Sequence, residues 1–135
     1  MKDTFSLQDA VFDLFKVDAE LLGLLGDPIG DDELNNKIRR ETFDDSQLDA
    51  SSVNFVSFFF LDTGATENYL VNKGLLQFDL YCDSRYSAQR ISTVIKRILN
   101  DNFEDFKVVF EGQRYAFNPS IYKYAIRVKP LITAY

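Results

Sequence analysis

The sequence predicts an α+β fold: a mainly antiparallel sheet with two helices packed on one face, in the order α-(β)-β-β-α-β-β-β. Two patterns carry this. Across residues 74–99 the apolar period changes. Leu76, Phe78, Leu80 and Cys82 alternate with Gln77, Asp79 and Asp83, and then Ile91, Val94, Ile95, Ile98 and Leu99 recur at i, i+3, i+4, i+7 and i+8. That is a strand handing over to a helix. Near the C-terminus, Tyr122, Tyr124, Ile126 and Val128 share one face while Lys123, Arg127 and Lys129 share the other, the pattern of a half-buried antiparallel strand. Helices too few to cover two faces of a sheet place the chain in the α+β class.

The elements follow in order. A first helix is expected over Ser6–Leu25, with Ser6 as its cap and Asp9 near its positive end. Leu7, Ala10, Val11, Leu14, Phe15, Leu21, Leu22 and Leu25 supply the apolar stripe, and Gly26-Asp27-Pro28 stops the helix. Residues 27–52 are polar and acidic and are expected to be a mobile segment, with one short edge strand within Asn36–Phe43. Val53–Leu61 reads as a strand apolar on both faces. One face suits a helix, and the other requires a second sheet, a second subunit or a loop. Asp62–Asn68 is a turn compatible with an antiparallel return. The strand around Tyr69–Cys82 follows, with a bend at Asn72-Lys73-Gly74. The second helix spans Arg85–Asn100, capped by Asp83 or Ser84. Phe106–Glu111 and Arg114–Phe117 read as a hairpin about Gly112-Gln113. Asn118-Pro119 is a break, and Ile121–Ile132 is the last strand. Residues 1–135 form one domain by length.

Charge and composition exclude several classes. Hydrophobic residues make up 46% and aromatics 15% of the chain, enough for a packed core rather than a disordered chain. Residues 1–50 hold 13 acidic and 5 basic side chains, whereas residues 51–135 hold 8 and 10. This split disfavours binding of free nucleic acid through a basic face. It suits an acidic surface that repels DNA or meets a basic partner. There is no histidine, which removes the commonest general base, the commonest metal ligand and every Ser-His or Cys-His pair. Cys82 is the only cysteine; it forms no intrachain disulfide and reads as a buried structural thiol. Met-Lys-Asp-Thr-Phe-Ser at the N-terminus lacks an apolar signal core, and no segment approaches the ~18 apolar residues of a membrane span. A cytosolic origin and no membrane partner are expected.

The candidate chemistry is sparse. Asp105-Phe106-Lys107 has the acid-x-Lys spacing of metal-dependent nucleases, in which an acid binds Mg²⁺ and the lysine steadies the attacking water. Asp79 and Asp83 are the available upstream acids; a solvated strand end accounts for the same tripeptide. Asp31-Asp32-Glu33 and Asp44-Asp45 lack the alternation, central glycine and closing glutamate of a Ca²⁺ loop and read as solvated acids. Gly23 and Gly26 form no phosphate-binding fingerprint, because no strand precedes them. Arg90, Lys96 and Arg97 read as a solvated helix face. Phe58-Phe59-Phe60 is core first and a subunit interface second. No cofactor, metal or catalytic residue is expected.

The layout resembles the tail-completion and tail-terminator proteins of long-tailed bacteriophages. The resemblance rests on Asp18–Gly26 closing the first helix, on Val53–Leu61 as the first long strand and on Leu76–Cys82 running through Asp83–Gln89 into the Ile/Val/Leu helix. It rests also on a closing strand near the C-terminus. It covers the whole chain and departs from the family in the acidic excess of residues 27–49. The resemblance implies a non-catalytic virion structural protein made in the host bacterial cytoplasm and incorporated at the head–tail junction. Such a subunit forms an oligomeric ring, typically a hexamer, which caps the tail tube and joins it to the head connector or stopper protein during viral assembly. DNA passes through without specific binding. Phe58 and Phe60 are the expected subunit contacts, and Asp31, Asp32, Asp44, Asp45, Asp62, Thr63, Asn68 and Lys73 are the expected partner contacts in the loops. Two alternatives belong to other classes: a metal-dependent nuclease built on Asp105 and Lys107, and a monomeric acidic regulator that binds a basic protein.

Overall fold

Leu7, Val11 and Phe15 sit one helical turn apart, and the even-numbered residues of the central strands alternate toward them; this pairing of a 3.6 period with a 2.0 period builds the core. A computed structural model describes residues 4–26, 31–48, 53–61, 75–103 and 106–130. Helix α1 spans Thr4–Lys16, α2 Ala19–Gly26 and α3 Asp31–Lys37. Strand β1 is Ile38–Arg39, a 3-10 turn follows at Asp45–Gln47, and β2 is Phe55–Leu61. Then come β3 (Leu75–Cys82), α4 (Arg85–Asn102), β4 (Phe106–Arg114) and β5 (Tyr122–Pro130). The sheet has five strands in the order β1-β2-β3-β5-β4. β1 and β2 are parallel, and the other neighbours are antiparallel. The class is α+β, with a mixed rather than wholly antiparallel sheet.

Val56, Phe58, Leu76, Phe78, Leu80, Cys82, Ile126 and Val128 face the helices, together with Phe15 of α1 and Ile91, Ile95 and Ile98 of α4. Phe15 meets Phe58 edge-on at 5.7 Å and Phe78 at 5.8 Å, while Phe58 stacks on Phe78 at 5.5 Å. Such aromatic pairs add roughly 0.5–1.5 kcal/mol beyond their burial. Ser84 caps α4 by accepting the Ser87 amide at 3.1 Å.

Three expectations change. The single first helix is two helices. The Asp18 carboxylate accepts the Leu21 amide at 2.9 Å and so caps α2, breaking the helix beside the exposed Val17. The acidic segment is not one loop: within it lie α3, β1 and the 3-10 turn, and the edge strand expected within Asn36–Phe43 is only two residues long. Gly112-Gln113 is not a turn. Gly112 pairs with Ala125 and Gln113 with Tyr124 inside a continuous β4, whose register shifts between Val108 and Phe110. One extra residue in the Val108-Val109-Phe110 stretch absorbs the offset as a bulge. Of the three coverings expected for the second apolar face of β2, the loop is present at its Phe55 end: Phe43 and Leu48, from the connection between β1 and β2, pack on Phe55 and Tyr81.

Candidate interaction surface

The sheet face turned away from the helices is read row by row from its register. Phe55, Tyr81, Lys123 and Arg114 form one row, and Ser57, Asp79, Ala125 and Gly112 the next. Phe59, Gln77, Arg127 and Phe110 form the third, with Lys107 opposite Lys129 beyond it. At the β2–β3 end this face is buried by residues 41–48: Ser57 donates its hydroxyl to the Glu41 carbonyl, Asp45 accepts the Phe117 amide at 3.3 Å, and Asn118 donates to the Leu48 carbonyl at 3.4 Å. At the β4–β5 end it is open.

A polar chain runs across the middle. Arg127 Nε donates to Gln77 Oε1 at 2.7 Å, and Gln77 Nε2 donates to Asp79 Oδ1 at 2.6 Å. Burial pushes the Asp79 carboxyl above its ordinary value, against the Gln77 hydrogen bond and the charges of Lys123, Arg114 and Arg127. The Arg127 guanidinium lies 5.1 Å from the Phe110 ring centre and that of Arg114 5.9 Å, so both flank one aromatic ring. Phe110 is 36% exposed, Val109 44%, Phe117 59% and Tyr115 84%. This is a run of large apolar groups at the open end of the sheet, where β4 is an edge strand among the described residues.

On the helix side, Glu111 accepts Lys96 Nζ at 3.0 and 3.2 Å and the Tyr124 hydroxyl at 2.6 Å, tying α4 to the same two strands. The Tyr124 hydrogen bond, with Lys96, holds Glu111 below the usual carboxylate range despite its partial burial. A second surface feature is a shallow groove of about 240 Å³ between α2 and α4, lined by Glu20, Leu24, Tyr86, Arg90 and Val94.

The residues singled out from sequence fall in different places. Phe58 is fully buried against Phe15 and Phe78, and Phe60 is half-buried on the same cluster, so Phe58 has no surface to offer a neighbouring subunit. Asp31 and Asp32 open α3, beside β1 and β2. Asp44 accepts the Ser46 amide at 3.0 Å at the start of the 3-10 turn, and Asp45 reaches the β4–β5 connection. Asp62, Thr63, Asn68, Lys73 and Asp105 lie outside the described residues. Lys107 and Asp79 are not neighbours. Their partners on β5, Lys129 and Ala125, are four residues apart, roughly 13 Å along the strand. Among the described residues no three Cys, Asp or Glu side chains lie close enough to share a metal ion. The sequence reading missed Phe110, Tyr115 and Phe117. The doubled Val108-Val109 ahead of Phe110, which breaks strict alternation, was the available signal for a bulged edge.

No protein family and no curated protein matches this chain. Among solved structures, a chain of one described as "Virion of native gene transfer agent (GTA) particle" has a similar fold. Its TM-score is 0.63 at 12% sequence identity, and the match covers 95% of this chain and 95% of that one.

Proposed function

We propose that this protein is a structural subunit of a phage-like virion, placed at the head–tail junction. The observation that supports it most is the likeness of fold over nearly the full length of both chains to a component of a gene transfer agent particle. The finer reading is a tail-terminator or tail-completion subunit. A ring of copies caps the tail tube, binds the head connector and leaves a conduit for DNA, without catalysis. The open β4–β5 end supports an assembly role, because exposed aromatics beside arginines are the composition of protein interfaces.

Mass spectrometry of purified particles from an infected or induced host tests the coarse reading: the protein is expected at a few copies per particle, far below the tube protein. Deleting its gene tests the finer one. Tails are expected to grow past their normal length and to accumulate unattached to heads. Absence from particles overturns the first reading, and normal-length tails joined to heads in the deletion overturn the second.

A further inference from the structure

Five cations share the outer face of β4 and β5: Lys107, Arg114, Lys123, Arg127 and Lys129. Two pairs of them stand directly opposite each other, Lys107 against Lys129 and Arg114 against Lys123. Like charges in register across a sheet are destabilising. Among the described residues none of the five belongs to an ion pair, whereas Lys16, Arg40, Lys96 and Arg97 all do. A chain of net charge −6 thus concentrates unpaired positive charge around exposed Phe110. Between the two like-charged pairs lie Ala125 with Gly112 and Arg127 with Phe110, and the Phe110 ring leans over Gly112, 3.5 Å from where a Cβ would stand. The face therefore carries an aromatic ring at its centre with cations around it.

The complementary charge lies at the other end of the same sheet. Helix α3 opens on Asp31, Asp32 and Glu33. The cations that follow are engaged within the subunit: Lys37 donates to the Asn54 carbonyl at 3.5 Å, Arg39 lies over the Phe43 ring and Arg40 pairs with Asp9. The helix packs beside β1 and β2, and β1 and β4 are the two ends of the strand order. Opposite charges on opposite ends of one subunit favour head-to-tail contact, and a head-to-tail contact closes into a ring when its rotation allows.

We propose that the β4–β5 outer face docks a second copy of this chain through that copy's acidic α3 region. This deepens the ring reading above and rests on it. A second copy is favoured over nucleic acid because the face mixes its cations with exposed Val109, Phe110, Tyr115 and Phe117, and because the acidic half of the chain repels a polyanion.

Charge exchange tests it. One variant carries Lys107→Glu, Arg114→Glu and Lys129→Glu; the other carries Asp31→Lys, Asp32→Lys and Glu33→Lys. Molar mass in solution is read by light scattering, alone and on added tail tubes, with circular dichroism as the folding control. Each variant alone is expected to stay monomeric, and an equimolar mixture to regain the wild-type mass, since every contact in an alternating ring is again between opposite charges. Wild-type association is expected to weaken by roughly tenfold or more between low and moderate salt, a check that requires no variant to fold. Rings that form equally well from either variant, and that ignore salt, overturn the docking face and leave the ring reading intact. A wild-type chain that is monomeric under every condition, tail tubes included, overturns the ring reading itself. Binding of a DNA oligonucleotide by wild type, lost in the first variant with no rescue of mass on mixing, overturns the second copy as occupant.

Discussion

Phe58, Asp79 and Cys82 lie on the paired strands β2 and β3 and have three different fates. Phe58 is wholly buried between Phe15 and Phe78, so Phe58→Ala is expected to cost about 3–5 kcal/mol in denaturant unfolding. The loss should appear in the isolated subunit. Burial, helped by the charge of Asp83, pushes the Cys82 thiol up to about 12. The native protein is therefore expected to resist thiol reagents at neutral pH and to react fully once unfolded. Asp79 behaves the opposite way to a salt-bridged acid. Its carboxyl is held above the ordinary value of 3.8 mainly by burial, so its stabilising contribution is complete below that value and is lost as pH rises through it toward the folded pKa. Asp79→Asn keeps an acceptor for the Gln77 amide. It is expected to raise the thermal midpoint at pH 7 and to lose that advantage near pH 3 in a melting series.

At the scale of elements, the hinge between α1 and α2 is set by one residue. Asp18 caps α2 through Leu21 and holds Arg97 of α4 at 2.9 Å. Burial raises its carboxyl, but the Leu21 amide and the Arg97 guanidinium together outweigh that and hold it below 3.8. Its contribution is thus present above that pH and lost as the acid is protonated below it. Asp18→Ala is expected to cost about 1 kcal/mol, or about 4 °C in the melting midpoint at pH 7. The elements differ in how plainly the sequence announces them. The β3–α4 passage was legible because both periods are strong and unbroken and Ser84 is a standard cap. The α1–α2 break was hidden because Leu21 and Leu25 continue an apolar stripe that a capping aspartate interrupts without a Gly or Pro. β4 was misread because Gly112 carries the usual mark of a turn, while its partner Ala125 lies beyond the real connection. α3 was missed because Asp31–Lys37 has a single apolar residue, Leu34, and its packing is decided by the sheet it lies beside.

For the whole molecule, the charge split seen in the sequence becomes a polarity in space. The acids of α3 lie at the β1 end and the cations of the β4–β5 face, unpaired among the described residues, at the β4 end, while Asp45 reaches across to the β4–β5 connection. The candidate surface was only half legible for that reason. Lys123, Arg127 and Lys129 were visible as one face of a strand, but their like-charged partners Lys107 and Arg114 come from a strand whose register depends on a bulge. Small-angle scattering offers a direct check of the assembly: at low salt the particle is expected to be annular, with a minimum in pair distances at its centre, and to collapse to the dimensions of one subunit as salt rises.

The strand order has a temporal side. β5 lies between β3 and β4, and β3 pairs with it residue by residue from Leu76↔Val128 to Cys82↔Tyr122. During synthesis the β2–β3 pair therefore emerges with one edge open and waits for a strand translated about 45 residues later. Until that strand arrives, β4 has nothing to pair with and the apolar side of the sheet is only partly closed. An open strand edge and uncovered apolar surface are what make a nascent chain prone to aggregate. The proposed docking face exists only once β5 has been made, so a chain not yet extended past Pro130 has no finished β4–β5 face to present.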